Sequence, residues 1–208
     1  ETLKAVTVAV DRFAAEYETD EITFNMAAGK AGFEAATNEV IEMAQYEMLI
    51  WVYSVVSFLC LLTFRSLRTV VCIIAPLVLT SILCQALMAK LGIGVKVATL
   101  PVIALGVGIG VDYGIYIYSK MQTYLQQGHS LPAAYLETLQ STGKSVAFTG
   151  LTLAIGVILW TLSPIKFQAD MGVLLTFMFI WNMLGALILL PAIACLLHPK
   201  ESVIETAD

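Results

Sequence analysis

Asp112 is a lone carboxylate within an otherwise uncharged apolar run at residues 97–119, Val-Ala-Thr-Leu-Pro-Val-Ile-Ala-Leu-Gly-Val-Gly-Ile-Gly-Val-Asp-Tyr-Gly-Ile-Tyr-Ile-Tyr-Ser. Such a run is long enough to cross a bilayer as a helix. A charged side chain near the middle of that helix costs about 2.5–3.5 kcal/mol on insertion scales. A carboxyl group held in hydrocarbon escapes the cost by taking up a proton, because loss of water penalises the charged form. A group that gains and loses a proton inside a membrane is the raw material of a proton relay. Ala104, Gly108 and Asp112 share one helix face at steps of four, and the small residues open room beside the carboxylate. Tyr113 lies about 100° further around the helix, so any partner of its hydroxyl belongs to a neighbouring helix. The other polar side chains at depth are Thr149 and Thr152 in the next span and Asn182 in the last. Membrane threonines usually bond their own backbone, and a membrane Asn usually ties helices together. These three are therefore supporting candidates beside Asp112 and Tyr113.

The glycines around the acid allow other readings. Gly106, Gly108 and Gly110 precede Asp112, and Gly114 follows it. A dinucleotide-binding fingerprint needs glycines at the first, third and sixth positions after a strand, whereas the sixth residue from Gly106 is Val111. An intramembrane aspartyl protease places Asp directly after Gly-x-Gly and needs a second acid; Val111 intervenes, and no second Asp is embedded. Close helix packing accounts for Gly106–Gly110 and Gly110–Gly114 as Gly-x-x-x-Gly pairs but leaves the acid unexplained. Cys60, Cys72, Cys84 and Cys195 fall in apolar runs without Cys-x-x-Cys spacing or a nearby His, so they read as small hydrophobes. No residue set supports ligase, kinase or hydrolase chemistry. The chain is expected not to be an enzyme and to use no metal or cofactor.

The elements that must position the acid are membrane helices. Of 208 residues, 59% are hydrophobic and only 13% charged, far from the balance of a soluble domain. The net charge of −5 lies mostly in the first fifty and last ten residues, and no basic stripe exists to neutralise nucleic-acid phosphates. Five spans are expected at about 48–64, 70–91, 97–121, 145–162 and 171–197, with Pro76 and Pro101 tolerated because neighbouring helices satisfy freed carbonyls. Before them, Leu3, Val6, Val10, Phe13 and Tyr17 give a helix with one apolar face, and 22–25 is a strand candidate. Gly29 and Gly32 break the pattern, and 33–47 reads as a second helix entering the membrane. Residues 1–47 thus suggest the tail of an extramembrane α+β domain, 48–197 the membrane bundle, and 198–208 a tail. A polar stretch at 122–144 contains a short amphipathic helix around 131–139, expected along the membrane surface. Lys and Arg near the span ends put the Arg65–Arg68 turn, the 122–144 linker and the C-terminus in the cytoplasm, and the N-terminal segment outside. Tyr116 and Tyr118 read as interfacial belt residues. An odd number of spans with an external N-terminus calls for an upstream helix, so a longer chain is expected.

The ordered motifs resemble one family. Gly-Val-Gly-Ile-Gly-Val-Asp-Tyr-Gly-Ile-Tyr-Ile-Tyr-Ser-Lys at 106–120 is similar to the tenth transmembrane helix of resistance–nodulation–division (RND) permeases, nearest to the mycobacterial-membrane-protein-large and hopanoid-lipid exporter branch. Ala-Gly-Lys-Ala-Gly-Phe-Glu-Ala-Ala-Thr-Asn-Glu-Val-Ile at 28–41 resembles the join between the second periplasmic domain and helix eight, and Phe-Arg-Ser-Leu-Arg at 64–68 the turn after it. The resemblance covers essentially the whole chain. It implies that the five spans are helices eight to twelve of a twelve-helix permease, and that 1–47 belongs to a periplasmic porter-like domain. It also implies that Asp112 and Tyr113 serve a proton pathway, with Gly108-x-x-x-Asp112 matching the family pattern. Drug-efflux members carry a Lys in helix ten; its absence here favours lipid-like cargo. The expectation is the C-terminal part of a proton-motive-force-driven exporter, a proton antiporter of the bacterial inner membrane acting on hydrophobic or amphiphilic substrates. Its partners would be the N-terminal half of the permease and membrane lipids, with room for a homo-oligomer and none for nucleic acid. A sterol-sensing-like sensor or scaffold and a protein-translocation accessory subunit, both of the same superfold, are the alternatives.

Overall fold

The computed structural model describes residues 2–19, 30–93 and 99–197. They form eight α-helices: α1 (Thr2–Tyr17), α2 (Lys30–Phe64), α3 (Leu67–Leu91), α4 (Leu100–Gln126), α5 (Leu131–Thr138), α6 (Lys144–Ile158), α7 (Lys166–Leu184) and α8 (Leu190–Leu197). A π turn at Leu139–Gly143 joins α5 to α6, a second at Gly185–Leu189 joins α7 to α8, and a 3-10 turn at Leu159–Leu162 ends α6. Five stretches are long and apolar enough to cross a membrane: Met43–Phe64, Leu67–Leu91, Leu100–Gln126, Leu131–Leu162 and Lys166–Leu197. Helices are the natural solution there, because hydrocarbon offers no partners to an open backbone. The chain is a multi-pass membrane protein. Among the described residues there is no sheet, and the strand candidate at 22–25 lies outside them.

Three expectations change. Gly32 does not interrupt the chain's entry into the membrane: α2 runs unbroken from Lys30 to Phe64. One glycine costs a helix only about 1 kcal/mol, which a helix of this length absorbs. The amphipathic segment at 131–139 is helical but not a separate surface element. It continues through the first π turn into α6, giving one stretch of 32 residues, Leu131–Leu162. At 1.5 Å per residue that is about 48 Å, well beyond a hydrocarbon core of about 30 Å. Only the short connection at 127–130, with Gly128 at φ 87°, interrupts helix between α4 and α5. The last span likewise starts earlier than its apolar run, at Lys166.

Caps explain the tight connections. Arg65 takes the left-handed conformation (φ 50°), and its N–H donates to the Leu61 carbonyl at 2.8 Å, closing α2 within two residues of α3. Gly92 (φ 65°) ends α3 in the same way, its N–H donating to the Ala89 carbonyl at 3.2 Å. The core is the meeting of α3, α4 and α7, around Cys72, Ile73, Leu77, Val107, Leu174 and Met178. Most large side chains of α2 and α6, such as Phe58, Leu62, Phe148 and Ile155, face outward, as a lipid solvent allows.

Candidate functional site

Helix α4 carries the candidate acid and the glycine run. Successive residues turn by about 100°, so residues two apart lie on nearly opposite sides. The glycines therefore divide into two stripes. A Cβ at Gly106 would strike the Met178 side chain. One at Gly110 would come within 2.5 Å of Asn182 Nδ2 and 2.6 Å of Leu77 Cδ2, and one at Gly114 within 3.0 Å of Ile73. This stripe is the close-packing face, as the Gly-x-x-x-Gly spacing predicts. Gly106 against Met178 and Gly110 against Asn182 advance by four on both helices, so α4 and α7 run parallel in matched register. Gly108 lies on the other stripe, where a Cβ would meet nothing within 4 Å. Asp112 is exposed one turn further along, with Leu105, Tyr116 and Ser119 on the same outer side. The room foreseen beside the carboxylate exists, and it opens away from the bundle.

The described residues supply the carboxylate with no hydrogen bond or ion pair. Tyr113 turns the opposite way, into the core, 3% exposed. Asn182, 2% exposed, donates from Nδ2 to the Gly106 carbonyl at 2.7 Å, which ties α7 to α4 on the face opposite Asp112. Thr152 donates to the Phe148 carbonyl of its own helix at 2.8 Å, the usual habit of a membrane threonine. Thr149 is exposed on the same helix. Thus Asn182 and Tyr113 share the buried side of α4, Gly108 and Asp112 share the open side, and neither threonine is bonded to either group. Among the described residues no group of three His, Cys, Asp or Glu side chains could hold a metal ion.

Polar contacts that sequence reading missed lie deeper in the bundle. Tyr118, expected at the interface, is 6% exposed, accepts a hydrogen bond from Thr69 Oγ1 at 2.9 Å, and stands edge-on to Phe64 with ring centroids 5.5 Å apart. Its partner is 49 residues away in the chain, so no local pattern could have announced it; Tyr116, two residues earlier, does face outward. Tyr53 of α2 shares a hydrogen bond with Ser81 at 2.7 Å and donates to the Leu77 carbonyl at 3.0 Å. Tyr135 of α5 donates to the Leu187 carbonyl in the second π turn at 2.7 Å. A π turn loosens the regular ladder of backbone bonds, and a hydroxyl from a neighbour satisfies the displaced carbonyl. The only sequence signals for these pairs are single hydroxyl residues in apolar runs.

Comparison with known proteins places this architecture. The family model described as "MMPL family" matches residues 1–205. The membrane protein YdfJ of Bacillus subtilis is 27% identical over 89 residues, 43% of this chain and 12% of that protein. The putative membrane protein MJ1562 of Methanocaldococcus jannaschii is 27% identical over 118 residues, 57% of this chain and 30% of that protein. The probable trehalose monomycolate exporter MmpL3 of Mycobacterium leprae is 34% identical over 55 residues, 26% of this chain and 6% of that protein. The matched regions span only 6–30% of the length of these curated relatives.

Proposed function

This chain belongs to the MMPL family, and from that premise we propose that it is the C-terminal membrane part of a proton-driven exporter of hydrophobic or amphiphilic, lipid-like molecules. Asp112 is the group that takes up and releases the proton, and Tyr113 accompanies it. The observation that carries this reading is the split of α4 into a closed glycine face and an open face bearing one carboxylate beside the unfilled space at Gly108. An ionised carboxylate left in bare lipid is costly, so the working protein must cover this stripe or wet it. The N-terminal half of the permease is the cover this reading calls for. With the stripe covered, protonation makes Asp112 neutral and deprotonation restores its charge, so the two states favour different helix packings. Each proton crossing 100 mV supplies about 2.3 kcal/mol, enough to bias a two-state arrangement. The printed name of the Mycobacterium leprae relative, a probable trehalose monomycolate exporter, supports lipid-like cargo. Antiport, with the proton moving inward as cargo leaves, needs no cofactor beyond the proton.

The test is Asp112→Asn in the whole permease, with export of an amphiphilic lipid measured beside the protein's level in the membrane. Export is expected to fall at least a hundredfold at unchanged abundance. Full export by the variant would leave the acid a structural residue and favour a sensor or scaffold.

A further inference from the structure

Breaks in helical regularity gather in one layer of the bundle. On α4, Gly110 lies against Leu77 and Asn182, and Gly114 against Ile73 and Leu190. Between those contacts α3 carries Pro76, and the last span carries its π turn at Gly185–Leu189. The two breaks meet, since a Cβ at Gly185 would be 3.2 Å from the Pro76 Cβ. The first π turn, Leu139–Gly143, joins the same layer, because a Cβ at Gly143 would be 3.6 Å from Leu187 Cδ2. Helix α4 passes through unbroken from Leu100 to Gln126, with Asp112 at this level. A proline or a π turn disturbs the ladder of backbone hydrogen bonds, and helices bend at such places.

One carbonyl in the layer lacks its helical partner for a local reason. Pro191 follows the second π turn and has no N–H to give the carbonyl four residues back, that of Leu187. Tyr135 of α5 supplies a donor instead, its hydroxyl 2.7 Å from that oxygen. Regular helix would make this carbonyl indifferent to α5. Here its partner comes from an element 52 residues away, so the bond lasts only while α5 and the last span keep their present relation. We propose that the layer is a hinge about which α8 turns relative to α7, and that the Tyr135 hydroxyl on the Leu187 carbonyl is the latch that holds it closed. Pro191 removes the bond that would stiffen the last span, and Gly185 presents a bare backbone to Pro76. The hinge goes beyond the proton-relay reading and stands without it: elements flanking the acid turn while α4 stays whole.

The hinge is read by pulsed electron–electron spin resonance on the whole permease in lipid nanodiscs, with other exposed cysteines removed. One label sits on Cys195, exposed in α8, and the other on the exposed α7 position changed by Val173→Cys. A reference pair, Ile82→Cys in α3 and Ile155→Cys in α6 with Cys195→Ala, lies on the far side of the layer from α8. Tyr135→Phe is expected to add a second distance between positions 173 and 195 and to leave the reference distance single. An unchanged 173–195 distribution, or a reference pair that broadens alike, overturns the hinge. Adding Pro191→Ala is expected to restore the single distance, because Leu187 then has an N–H within its own helix; a second distance that persists contradicts the latch. If Tyr135→Phe does not fold, Pro191→Ala alone decides: its amides at 185–190 should exchange about tenfold more slowly than in the wild type, and unchanged exchange overturns the hinge. Neither readout uses transport, so a failed hinge leaves the relay reading untouched, and a failed relay leaves the hinge.

Discussion

The two faces of α4 use the same residue type to opposite ends. On one face Gly106 and Gly110 let Met178 and Asn182 come closer than a Cβ would permit, and Gly114 lets Ile73 approach to that limit. On the other, Gly108 has nothing beside it, and the next turn presents the carboxylate of Asp112. Only the phase of the helix distinguishes them, since a step of two residues carries a position to the far side. The closed face fixes where α4 stands among α3 and α7. The open face is thereby held rigid and outward, so the acid rests on a braced helix rather than a mobile loop. The polar atoms follow the same division, with Tyr113 and Asn182 sealed inside and Asp112 outside.

That division can be broken one residue at a time. The largest stability loss is expected at Gly110. The amide it would strike is held in place by the bond to Gly106, so Gly110→Ala must displace a tethered side chain as well as Leu77. Overpacking of this kind costs about 1–3 kcal/mol, and thermal unfolding in detergent should show the midpoint falling by several degrees. A midpoint equal to wild type would mean that α4 and α7 stand further apart than described. Next comes Tyr135→Phe, which strips the Leu187 carbonyl of its donor at the second π turn. The expected loss is about 1 kcal/mol, with faster amide hydrogen exchange confined to residues near 185–190. The smallest effect belongs to the open face. Gly108→Ala meets no atom within 4 Å and relieves the helix of a glycine, so this chain should be unchanged or stabilised by up to about 1 kcal/mol. A loss as large as that of Gly110→Ala would erase the contrast between the faces.

Much of this was legible from the residues. The five apolar stretches, the lone acid, and the partition of Gly106, Gly110 and Gly114 from Gly108 and Asp112 all follow from composition and a 3.6-residue period. The starts of the last two spans did not. The polar residues from 122 to 144 read as a linker, yet helix there outlasts the hydrocarbon, because nothing but Gly128 and Pro132 interrupts it locally. The π turns were hidden because they answer to tertiary packing: Gly185 lets Pro76 of α3 approach, with an added Cβ only 3.2 Å from the Pro76 Cβ, and the helix adjusts around that contact. Tyr118 was misplaced because a hydroxyl aromatic near a helix end suits a membrane interface as well as a buried bond to Thr69. Asn182 was foreseen only as helix glue or a neighbour of the acid. The structure gives it the glue, on the side of α4 away from Asp112.

The central claim is that Asp112 carries the transported proton. Its most direct test is cargo-dependent proton flux in proteoliposomes holding the whole permease, wild type beside Asp112→Asn. The account predicts flux coupled to export in the wild type and none above background in the variant, with the variant's thermal stability unchanged. Coupled flux that persists in Asp112→Asn would contradict it.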